Sequence, residues 1–164
     1  MPARAALLQL ADDLRQELGA IDRTIAEAAR CTSDLAERPP SYLELRGAGD
    51  IVHDFYNGVE RFLERVSVEM NGALPAGPDS HARLLDRMAR ELPDVRPAVL
   101  RPEVRTRLEE YLRFRHLFRH RYGYELRWDK LLPLLRGLAE LAPDLHHDLE
   151  SFVRATTELA SRLD

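Results

Sequence analysis

The chain is 164 residues long, one domain's worth, and can bury roughly two-thirds of the surface it exposes when unfolded. Its formal charge of -4 gives no general attraction to a polyanion, so any contact with nucleic acid must come from a local patch. A single cysteine, Cys31, excludes an intrachain disulfide and fits a reducing cytosol, and no apolar run approaches the ~18 residues a membrane span needs.

Periodicity is helical along nearly the whole chain, and no segment alternates as a strand does. The first residues, MPARAALLQLADDL, carry acidic charges inside an amphipathic pattern and do not resemble a signal peptide. Across residues 3–36, Leu7, Leu10, Leu14, Leu18, Ile21 and Ile25 recur at three- and four-residue steps, an apolar stripe. Pro39-Pro40 ends that helix and Ser41 is placed to cap the next. The second helix is expected over about 42–70, with Leu45, Ile51, Val52, Phe55, Val59, Phe62, Leu63 and Val66 inward. The stretch NGALPAGPDS (71–80) is a loop, dense in turn formers. A short helix follows over about 79–92, ended by Pro93, and a proline-rich loop runs to Pro102. A fourth helix is expected over about 103–122, stopping at Gly123, a natural residue just past a helix end. The last covers about 128–163 and is expected to break or kink near Pro143. Long helices with short loops predict an all-α, up-and-down bundle of four to five main helices, one domain over 1–164.

The chemistry concentrates in FRHLFRHRYGYEL, residues 114–126. With Arg115 set at zero on a wheel, Arg119 falls at about 40°, His116 at about 100°, His120 at about 140° and Arg113 at about 160°. Leu117, Phe114, Phe118, Tyr111 and Tyr122 occupy the remaining arc, which predicts a cationic, titratable side and an aromatic, core-forming side. The plain explanation is that cations near a helix C-terminus complement its exposed carbonyls. The composition supports it: Lys130 is the only lysine among 24 basic residues, so arginine is common throughout. The functional alternative is metal-free RNA cleavage. There the 2'-hydroxyl attacks, and the protein must move protons and stabilise charge. Histidine suits the first task and arginine the second. Aromatic neighbours can stack a base.

Arg115-His116-Leu117-Phe118-Arg119-His120-Arg121-Tyr122 reads R-x-x-x-x-H-x-Y. It resembles the signature of HepT-like toxins in the HEPN superfamily, encoded beside minimal nucleotidyltransferase (MntA-like) antitoxins. The surrounding YLRFRHLFRHRYGYELRWDKLLPLL is similar to a central block of such proteins. HDFYNGVERFLERV (53–66) and HARLLDRMA (81–89) are similar to an earlier part, so the resemblance spans roughly 45–135. It implies an all-helical HEPN bundle that dimerises, with the motifs of two subunits meeting in a cleft. It also implies a cytoplasmic, metal-independent endoribonuclease without a cofactor. Arg115 and His120 are then the catalytic pair and Tyr122 the residue to which the antitoxin transfers AMP from ATP. Outside the motif match, the neighbouring cations Arg119, His116 and Arg113 are expected to contact RNA. The polar residue that often follows the arginine in HEPN ribonucleases is His116 here. HEPN domains include silent members, so the alternative is a non-catalytic helical module that binds a nucleotidyltransferase or RNA.

Other candidates have plainer readings. His53, Tyr56 and Glu60 share one face of the second helix and read as a hydrogen-bonded patch where helices meet. His116 and His120 have the spacing of a helical zinc pair but lack the H-E-x-x-H pattern, so no metal site is expected. His146 and His147 read as solvated surface, Trp128 as packing and Cys31 as buried filler. Tyr124 is a competing AMP acceptor, but it lies outside the motif.

Overall fold

Residues 3–120 and 125–163 are described by a computed structural model. Among them are five helices and no strand: α1 (Arg4–Asp34), α2 (Tyr42–Asn71), α3 (Ser80–Met88), α4 (Pro102–His120) and α5 (Trp128–Ser161). The all-α bundle expected from periodicity is what forms.

The α1 stripe is inward, with Leu7, Leu10, Leu14, Leu18 and Ile21 buried and Ile25 partly so. It packs along both α5 and α2, which puts the three longest helices side by side. On α2, Val52, Phe55, Val59, Phe62, Leu63 and Val66 are buried, while Leu45 and Ile51 are partly covered. Each fully buried side chain of this size contributes ~1.5–3 kcal/mol. Their joint burial holds the bundle together, and α3 and α4 close it over α2.

Local chemistry sets the helix ends. Pro39-Pro40 precedes α2, and Ser41 and Glu44 form a reciprocal capping box there. Arg38 braces the same carboxylate, with Nη1 2.8 Å from Glu44 Oε2. At the other end of α2, Gly72 adopts φ 79°, the left-handed turn that a side chain would resist.

Two expectations differ from what forms. The third helix stops at Met88, not near 92. The Met88 carbonyl accepts from the backbone of Val99 and Leu100, and the Arg96 guanidinium donates to the Arg87 and Arg90 carbonyls. Long-range donors thus take the acceptors that another helical turn would have used. The last helix, in turn, is not broken at Pro143. Pro133 and Pro143 both lie inside α5 on its exposed side. Each proline removes one helical N–H, but the carbonyls it would have met, on Asp129 and Ala139, belong to exposed residues that water can reach.

Candidate functional site

Val104, Leu108, Tyr111 and Phe114 form the buried face of α4, and Arg115 is buried with them. Residues 104, 108, 111, 115 and 118 follow one another at helical steps of four, three, four and three. Arg115 therefore stands inside the apolar stripe, at the position where a leucine would serve the core. Its neighbours Arg113, His116 and Arg119 are exposed. The cationic side expected from the wheel is thus divided: three of its members face solvent and Arg115 faces α2.

A buried guanidinium needs a counter-charge and acceptors for its N–H groups. Helix α2 supplies both. Arg115 Nε donates to Asn57 Oδ1 at 2.7 Å, and Nη2 lies 2.9 Å from Glu60 Oε1. The two charged side chains are only 9% and 6% exposed. The other Glu60 oxygen accepts from His81 Nδ1, on α3, at 2.8 Å. A carboxylate only accepts, so Nδ1 of His81 carries the hydrogen. The Asn57 amide nitrogen lies 3.2 Å from the His53 ring, which packs against Phe118 with centroids 5.1 Å apart. Phe118 stacks on Phe114 at 5.5 Å. Gly49 lets this layer close: a Cβ there would lie 3.1 Å from Phe118 and 3.0 Å from Leu126.

The field of this network reaches its neighbours. Burial pushes the Tyr56 hydroxyl well above the ordinary phenol range, and the Glu60 charge adds to the effect. Burial also raises the Glu64 carboxyl, helped by Glu60 and opposed by His81 and Arg115. The patch expected at His53, Tyr56 and Glu60 therefore lies where α2 meets α4. What the sequence did not disclose is that its partner is Arg115. The signal was present as an arginine in register with Val104, Leu108 and Tyr111. Asn57 and His81 carried no such signal, because their part in the network depends on how three helices assemble.

Arg113 lies elsewhere, on the α5 side of α4. With Lys130 and Arg127 it lines a cleft of about 180 Å³, and its Nη2 is 3.5 Å from Glu109. His120 closes α4. The expected acceptor Tyr122, with Arg121, Gly123 and Tyr124, lies outside the described residues, as does the side chain of His120. His146 pairs with Asp22 at 3.2 Å on the surface, and His147 is exposed. Trp128 begins α5 and packs partly against the core. Cys31 is half-buried, not buried as expected, and its thiol pKa is pushed up by burial and by the carboxylates of Asp34 and Glu44. Among the described residues, no group of three or more His, Cys, Asp or Glu side chains is placed to hold a metal.

A protein-family model described as HepT-like protein matches residues 47–156, from the first turns of α2 to near the end of α5. No curated protein and no solved structure matches the chain.

Proposed function

The chain belongs to the HepT-like family, HEPN-superfamily proteins of the toxin–antitoxin type, and from that premise we propose that it is a toxin acting as a metal-independent endoribonuclease. The whole of 1–164 is read as one HEPN domain working as a cytoplasmic homodimer. The observation that carries this reading is that the family match encloses the complete R-x-x-x-x-H-x-Y motif together with the helix that holds its arginine.

The chemistry divides among the motif residues. His120 takes the proton from the attacking 2'-hydroxyl and returns one to the leaving oxygen, a task that suits an imidazole. Arg115 stabilises charge on the phosphate. Its guanidinium has five N–H donors, and among the described residues the contacts to Asn57 and Glu60 use two, so the others serve phosphate oxygens in this reading. Those two contacts also fix its plane, which limits the ordering still needed when RNA arrives. Arg119 and His116, exposed on the same helix, and Arg113, on its α5 side, serve as contacts to the RNA backbone. Tyr122 is the regulatory hydroxyl, adenylylated by a minimal nucleotidyltransferase partner. The added phosphate would sit among the arginines that bind substrate.

A second reading has an observation in its favour. Arg115 is so well paired within the bundle that it suffices as a structural ion pair, and the protein would then be a non-catalytic module binding a nucleotidyltransferase or RNA. Expression in cells separates the two. Induced wild-type protein should arrest growth, and co-expression of an adjacent nucleotidyltransferase should relieve the arrest with adenylate mapped to Tyr122 by peptide mass spectrometry. Tyr122→Phe should remain toxic in its presence. Growth unaffected by the wild-type chain, or adenylate only on Tyr124, contradicts the proposal.

A further inference from the structure

A second group of cations gathers away from the motif. Where the end of α2, the outer face of α3 and the turn after it meet, a cleft of about 480 Å³ is lined by Arg83, Arg87, Arg90 and Arg96. That volume lies in the range of small-ligand sites, ~300–1,000 Å³. Two carboxylates also line it. Asp86 is committed to Arg105 at 2.8 Å, and Glu91 is exposed at the rim. Among the described residues, none of the four arginines has a carboxylate within ion-pair distance. In a chain of net charge -4 this local excess of positive charge stands out against the whole.

Donor accounting shows what remains available. Arg96 is 5% exposed and spends four N–H groups on Asn71 Oδ1 and the carbonyls of Arg87, Arg90 and Pro97. It shapes the cleft floor and gives it a fixed charge. Arg87 uses only Nη1, on Ser67 Oγ and the Ala73 carbonyl. Arg83 uses Nη1 on the Ala76 carbonyl, and the Arg90 side chain makes no hydrogen bond among the described residues. Every one of these acceptors is neutral, so no positive charge is cancelled. Burial and the nearby Arg87 charge both lower the Arg96 pKa, which means the two cations repel across the cleft. An anion between them relieves that repulsion and meets the forks of Arg83, Arg87 and Arg90.

We infer that this cleft is an anion site for phosphate groups, carried on a free polyphosphate or on a polynucleotide backbone, and built from none of the motif residues. The inference does not depend on ribonuclease activity. Isothermal titration calorimetry of the full chain with sodium tripolyphosphate, and separately with a short 2'-O-methyl oligoribonucleotide that cannot be cleaved, tests it. The variant is Arg83→Ala/Arg90→Ala, two exposed residues outside the core. The charge-matched control is Arg4→Ala/Arg136→Ala, exposed on α1 and α5. At least one probe should bind the variant about tenfold or more weakly than the control, the order of effect expected of charge-assisted contacts. Loss for tripolyphosphate identifies a free polyphosphate as sufficient, and loss for the oligonucleotide alone identifies the backbone. If neither probe distinguishes variant from control, the inference is overturned.

Discussion

Removing the Glu60 carboxylate would leave the Arg115 guanidinium in surroundings that exclude most water. Breaking such a buried pair from one side costs ~3–5 kcal/mol, so Glu60→Ala should lose stability on that scale in urea unfolding. Replacing both members, as Arg115→Met/Glu60→Leu, should recover most of the loss while abolishing RNA cleavage. A double variant no more stable than Glu60→Ala would contradict this account of the pair. Glu64 acts in the opposite sense. Its folded pKa is raised by burial and by the Glu60 charge, so the native state binds its proton more tightly than the unfolded chain does. Its contribution is favourable below the ordinary carboxylate pKa and is lost as pH rises through the raised value. Glu64→Gln should therefore raise the melting temperature at pH 7, with the advantage shrinking below about pH 4. A variant less stable than wild type at pH 7 would show that Glu64 is held by a compensating contact.

At the scale of helices, the cap of α2 was legible because its chemistry is local. Pro39-Pro40 stops one helix, and Ser41 lies three residues before Glu44, whose side chain reaches back to the Ser41 backbone N–H. Ser41→Ala should cost ~1 kcal/mol in thermal or urea unfolding. Hydrogen bonding by Arg38 and the cap draws the Glu44 pKa down to about 2. Its contribution is present above the ordinary carboxylate range and fades as pH falls from ~4.5 towards 2. The Ser41→Ala deficit should therefore narrow in acid, and a constant deficit would argue against the reciprocal cap. The end of α3 was not legible in the same way. Nothing near Met88 says stop; the decision comes from Arg96, Val99 and Leu100, whose donors reach back to it. The continuity of α5 through Pro143 likewise depends on which face the proline occupies, and only packing against α1 settles that face. At the site, the R-x-x-x-x-H-x-Y spacing was readable from the sequence alone. The burial of Arg115 was readable only by placing it in the stripe with Leu108 and Tyr111. Its partners were not, since Asn57 and Glu60 come from α2 and His81, which holds Glu60, comes from α3.

At the scale of the molecule, three long helices build a core, and the shorter α3 and α4 close over α2 to bury one cation of the motif. That arrangement fits the proposed division of labour. Arg115 is held from inside the bundle by α2, and His120 lies five residues further along α4. Arg115 and His120 are proposed to cleave RNA together, without a metal. The most direct measurement is cleavage of single-stranded RNA by the purified chain in excess chelator, comparing wild type with Arg115→Ala and His120→Ala at matched folding by circular dichroism. The wild type should cleave, and each variant should lose about 100-fold or more of that activity, the usual effect of removing a proton-transfer group or a charge-stabilising donor. No cleavage by the wild type, or cleavage that persists in both variants, would contradict that proposal.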